Sequence, residues 1–109
     1  MMYQVNTLPR SEADFDGYYG YIEQRSPAGA AAWANAFFRA LKSLEQNPLA
    51  HGLAPEDSDH DVEIRQIFFR TRHGHNYRAL YTIDGNVVYV LHIRGPGQDL
   101  MRADEVTLP

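Results

Sequence analysis

The sequence predicts an α+β fold: an N-terminal strand, an α-helical hairpin, then a three-stranded antiparallel meander, all forming one small sheet. Three observations carry it. Tyr3 to Leu8 alternates apolar and polar residues with a period of two. Residues 11 to 46 hold two apolar stripes at helical spacing, separated by Ser26-Pro27. The run NYRALYTIDGNVVYVLHIR then places two apolar stretches around Asp84-Gly85-Asn86.

Pro9 ends the first strand, because proline cannot donate to a ladder. Ser11 offers an N-cap with Asp14 three residues on, and Phe15, Tyr18, Tyr19 and Ile22 form the stripe of the first helix. Gly17 and Gly20 weaken that helix. The second helix starts at Ser26-Pro27, serine as cap and proline at the first helical position, and presents Trp33, Phe37, Ala40, Leu41 and Leu44. Asn47-Pro48 stops it. So short a link between the helices predicts an antiparallel hairpin packed on the sheet.

Residues 47 to 61 read as a loop with an acidic end. A strand follows from Val62 to Thr71, with Ile64, Gln66 and Phe68 on one side and Arg65, Ile67 and Phe69 on the other. Residues 77 to 83 and 87 to 94 pair as a hairpin, since Gly and Asn tolerate positive φ. Alternation puts Val88, Val90, His92 and Arg94 on one face of the last strand, and Arg78, Leu80 and Thr82 on one face of its neighbour. With both helices on one side, the opposite side of the sheet is expected to stay partly open. The 109 residues make a single domain, 1–109, with no repeat or low-complexity tract.

The apolar fraction is 44% and no stretch is long enough to span a membrane, so a compact globule is expected, without membrane association. The absence of cysteine excludes disulfides and thiolate metal sites. Without a signal-peptide pattern, the expected location is cytoplasmic. Net charge is −4, but it is unevenly spread. Residues 62 to 94 carry Arg65, Arg70, Arg72, Arg78 and Arg94 against Glu63 and Asp84, a balance of +3, and the remainder carries −7. Arginine suits bidentate contact with phosphate or carboxylate, so these five residues are the candidate surface for an anionic partner. No cofactor is expected. His73 and His75 lack further ligands at metal spacing, and His60 among Asp57, Asp59 and Asp61 reads as a solvated loop.

The ordered set YQVNTLPRSEAD, YIEQRSPAGAAAWANAFFRALKSLEQNP, VEIRQIFF, YRALYTIDG and NVVYVLHIR resembles the RelE/ParE family of type II toxin–antitoxin toxins over nearly the whole chain. The resemblance implies a helical hairpin on an antiparallel sheet, growth inhibition and plasmid stabilisation, and neutralisation by a cognate antitoxin. It leaves two targets open. ParE-like members inhibit DNA gyrase without known cleavage chemistry; RelE-like members are endoribonucleases that cut mRNA on the ribosome. For the second, the resemblance implies that Arg78 stabilises phosphate and that Arg94 projects into the groove; alternation sets His92 beside Arg94, either as an acid or as a hydrogen-bonded core histidine. The tail that supplies catalytic groups in RNA-cleaving members is here Gly95-Pro96-Gly97-Gln98-Asp99-Leu100, with no Tyr, Lys or His. The only lysine is Lys42, on the second helix. The expected function is therefore a ParE-like toxin acting by binding, with gyrase favoured. The alternatives are a RelE-like endoribonuclease and a non-toxic family member that only binds antitoxin.

Overall fold

A computed structural model describes residues 2–59, 61–72 and 74–96. It contains β1 (Gln4–Thr7), α1 (Pro9–Arg25), α2 (Pro27–Leu44), two 3-10 turns (Pro48–Ala50 and Pro55–Asp59), β2 (Arg65–Phe69), β3 (Tyr77–Asp84) and β4 (Val87–Arg94). The sheet order is β1-β4-β3-β2, with β1 parallel to β4 and the other pairs antiparallel. The α+β class holds, with a single four-stranded sheet.

Ser26 caps α2 as its sequence suggests, its Oγ accepting from Gly29 N at 2.9 Å. The start of α1 differs from expectation. Pro9, not Ser11, opens the helix, because the fixed φ of proline suits the first helical position and its missing N–H is not needed there. Ser11 is buried and its Oγ donates to Leu8 O at 2.8 Å. The β3–β4 turn carries the one positive φ among the described residues, +62° at Gly85.

The helices pack one face of the sheet. Trp33, Ala34, Phe37, Ala40 and Leu44 of α2 meet Ile67, Phe69, Ala79, Tyr81, Val88, Val90 and Ile93, and Phe15, Tyr18 and Ile22 of α1 close the layer. Tyr81 is fully buried there and its hydroxyl donates to Pro48 O. Burial pushes the phenol from 10.0 to about 12, the Arg65 charge opposing it. A raised phenol stabilises the fold only while protonated. That contribution is full below the unfolded value and is lost as pH climbs through the folded one, a swing of roughly 2–3 kcal/mol. Urea denaturation at pH 9 and pH 12 should show it, and Tyr81→Phe should lack this part of the alkaline loss.

Two expectations about the faces need correction. Between Leu80 and Tyr81 the β3–β4 register shifts, Leu80 facing His92 and Tyr81 facing Val90, so Leu91 is an extra residue on β4. The bulge breaks the alternation: Val88, Val90 and Ile93 lie in the helix-side core, whereas His92 stands opposite Leu80, which forms a second cluster with Leu91. The second correction concerns the supposedly open side of the sheet. Part of the segment that precedes β2 lies over it, and Ala54 and Ile64 pack on Leu80 and Leu91. Ala54 N donates to Ile64 O at 2.7 Å, and Ile64 N to Asp57 Oδ1 at 2.8 Å, which ties these residues to one another over the sheet.

Candidate functional site

The arginine-bearing end of the sheet divides into an inner and an outer set. Arg78, at the start of β3, stands opposite Arg94 in register, and Leu80 stands opposite His92. The strands thus do bring Arg78, Arg94 and His92 together, but two of them are committed inward. Both Arg78 terminal nitrogens contact Glu56, Nη1 to Oε1 at 2.8 Å and Nη2 to Oε2 at 2.7 Å, with Gln66 Oε1 at 3.3 Å. Glu56 comes from the 3-10 turn of the covering segment, and its side chain is 0% exposed against 14% for Arg78. A fork-to-fork pair of this kind satisfies a carboxylate that could not otherwise be buried.

His92 is fully buried with Nδ1 at 3.3 Å from Asp14 Oδ2 on α1. Asp14 also accepts from Ile93 N at 3.0 Å and from Arg10 Nε at 3.3 Å. Burial alone would raise its carboxyl, yet hydrogen bonds from His92, Ile93 N and Arg10 hold it below its ordinary 3.8. Since β1 stops at Thr7, the end of β4 has no strand on its β1 side; α1 supplies acceptors instead, Asp14 for Ile93 N and Tyr18 Oη for Gly95 N at 2.9 Å. Asp14 and His92 are therefore part of how α1 is fixed to the sheet. Arg65 is similarly engaged: Nη1 donates to His51 O and Nη2 meets Glu63 at 3.0 Å.

The outer set is different. Arg70 and Arg72 follow β2 and are exposed, and Arg94 is half-buried. Arg70 lines a cleft of about 470 Å³ with Arg39, Ser43, His51, Phe68 and Asn76, between α2 and the outer strand β2. Phe68 points away from the helix-side core and is 58% exposed. Arg39 was not singled out from sequence. It lies on α2 outside the apolar stripe, and only the packing of α2 against β2 brings it beside Arg70. A second cleft, of about 650 Å³, is lined by Tyr18, Tyr21, His75, Tyr77 and Gly95, a grouping of distant residues with no local signal. Among the described residues no group of three His, Asp or Glu side chains could hold a metal ion. His60, His73 and the tail from residue 97 lie outside the described residues.

An edge strand, an exposed phenylalanine and two nearby arginines can hold an acidic protein surface.

The family described as "ParE toxin of type II toxin-antitoxin system, parDE" matches residues 5–100. The chain belongs to the ParE toxin family. Membership of this ParE family makes the protein the toxin half of a toxin–antitoxin pair and implies a cognate antitoxin. Among solved structures, a chain of the "Chromosomal ParDE TA system from P. aeruginosa" superposes with a TM-score of 0.67 at 18% identity, covering 86% of this chain and 96% of that one. At that identity the likeness concerns the fold alone. No curated protein sequence matches. Among the described residues no helix is long and apolar enough to cross a membrane.

Proposed function

We propose that this ParE toxin arrests growth by binding an essential protein, with DNA gyrase as the favoured target, and that its antitoxin neutralises it by covering the outer arginine surface. The observation that carries the reading is the Glu56–Arg78 pair. A transition-state phosphate needs cations that are free to meet it, and here the Arg78 charge is balanced by a buried carboxylate 2.7 Å away. Phosphoryl chemistry through Arg78, Arg94 and His92 is the alternative, and it requires Glu56 to withdraw.

On the binding reading Arg39, Arg70, Arg72 and Phe68 are the contact residues, with Arg94 at their margin and Arg65 and Arg78 holding the strands that present them. Arginine and aromatic side chains are the residue types that concentrate binding energy at interfaces. The test sets two assays side by side. Purified toxin should block gyrase supercoiling and leave mRNA ends unchanged when added to translating ribosomes. The double variant Arg39→Glu/Arg70→Glu should weaken both gyrase inhibition and antitoxin binding by at least about tenfold. New mRNA ends without gyrase inhibition would replace this reading with the nuclease one. Absence of any growth arrest on expression would leave only antitoxin binding.

A further inference from the structure

The sheet has two outer strands, and they are not equally covered. Along β2, Gln66 N donates to Gly52 O and Leu53 bridges Arg65, so part of that edge is occupied. β1 has β4 on one side and ends the sheet on the other. Gln4 N donates to Asn86 O and Leu8 N to Val90 O, so the even-numbered residues turn their backbone groups toward β4. In a parallel strand the alternate residues then turn theirs outward, and these are Val5 and Thr7.

We propose that the β1 edge is a homodimer interface, in which β1 pairs antiparallel with β1 of a second copy about a two-fold axis at Asn6. Three features of this chain fit a copy of itself. The first is backbone register. An axis at Asn6 sets Val5 of one copy opposite Thr7 of the other, and both present outward N–H and C=O groups. Slippage is limited at both ends, since Tyr3 N already donates to Glu45 O at 2.6 Å and Pro9 has no N–H.

The second feature is apolar. Val5, Phe38 and Leu41 line both clefts that flank the edge on the helix side. Phe38 projects from α2 with 54% exposure although Phe15 and Phe37 lie beside it, at ring separations of 5.6 and 5.8 Å. Near the axis, Phe38 would meet Phe38 of the second copy and remove both from water.

The third is charge. At the Thr7 end the cleft is rimmed by Glu12 and Asp16; at the Gln4 end the neighbouring cleft is rimmed by Lys42 and Glu45. Lys42 Nζ meets Glu45 at 3.3 Å and is 76% exposed, so the Gln4 end is close to neutral where the Thr7 end is acidic. An antiparallel two-fold brings Lys42 of each copy to Glu12 and Asp16 of the other, twice, as an isologous interface requires.

Sedimentation equilibrium of the purified toxin, free of antitoxin, tests this, with circular dichroism confirming that each variant is folded. The wild-type chain should sediment as a concentration-dependent dimer. Phe38→Glu should weaken dimerisation by about thirtyfold or more. Lys42→Glu, and separately Glu12→Lys/Asp16→Lys, should each weaken it by about tenfold, and the combined charge-swapped chain should recover most of that loss. Rescue is the decisive arm, because a merely structural role for these exposed residues would not be restored by swapping charges. A monomer at all concentrations overturns the proposal. So does a dimer indifferent to Phe38→Glu, or a combined variant no better than its parents. The assay involves neither gyrase nor mRNA, so its failure leaves the proposed target untouched.

Discussion

Replacing Glu56 with alanine should destabilise the protein by about 3–5 kcal/mol, measured by urea denaturation, because it leaves the Arg78 guanidinium buried without its counter-charge. The carboxylate is 0% exposed and holds Arg78 through both oxygens. Arg78→Glu should be equally damaging, since it would set two carboxylates against each other inside the cover. Loss of toxicity in that variant would report unfolding, not target recognition. Exchanging the pair for apolar residues, Glu56→Met with Arg78→Met, should instead cost little, as buried ion pairs often give no net gain over well-packed side chains of similar volume. The contrast between the single and double variants separates a structural ion pair from an arginine kept for its charge.

Trp33→Ala should cost about 3–5 kcal/mol, the usual range for emptying an aromatic core position. Trp33 is 3% exposed and stands among Phe15, Tyr18, Phe37, Phe69 and Tyr77, with ring centroids 5.1 to 6.4 Å away. These rings belong to α1, α2, β2 and β3, so the cavity would loosen the hairpin from the sheet rather than one element. Urea midpoints read the loss, and an unchanged midpoint would mean that the ring cluster carries little of the stability. Trp33→Phe, which keeps most of the apolar area, should recover the greater part.

Those elements whose signals are local were legible in the sequence. The bounds of β4, the turn at Gly85, and the Ser26-Pro27 start of α2 each depend on a few adjacent residues, and each is where the sequence puts it. Alternation along β2 also held, with Ile67 and Phe69 inside and Phe68 out. Features decided across the fold were not legible. The bulge at Leu91 has no glycine or proline to mark it and follows from the pairing of β3 with β4. Residues 47 to 61 look like a polar loop because their burial rests on a few scattered residues, Ala54 and Glu56 among them, with no periodicity. Their placement over the sheet decides the state of Arg78, so the arginines could be counted from sequence but not sorted into inner and outer. Arg39 joined the outer set only once α2 was placed against β2.

On the proposed function, Arg78 serves the fold while the exposed arginines serve the partner. Growth arrest and gyrase inhibition by the Glu56→Met/Arg78→Met chain, with its fold confirmed, test this most directly. Activity within a few-fold of wild type is the expected result. A folded but inactive double variant would contradict it, by showing that the Arg78 cation itself is required at the target.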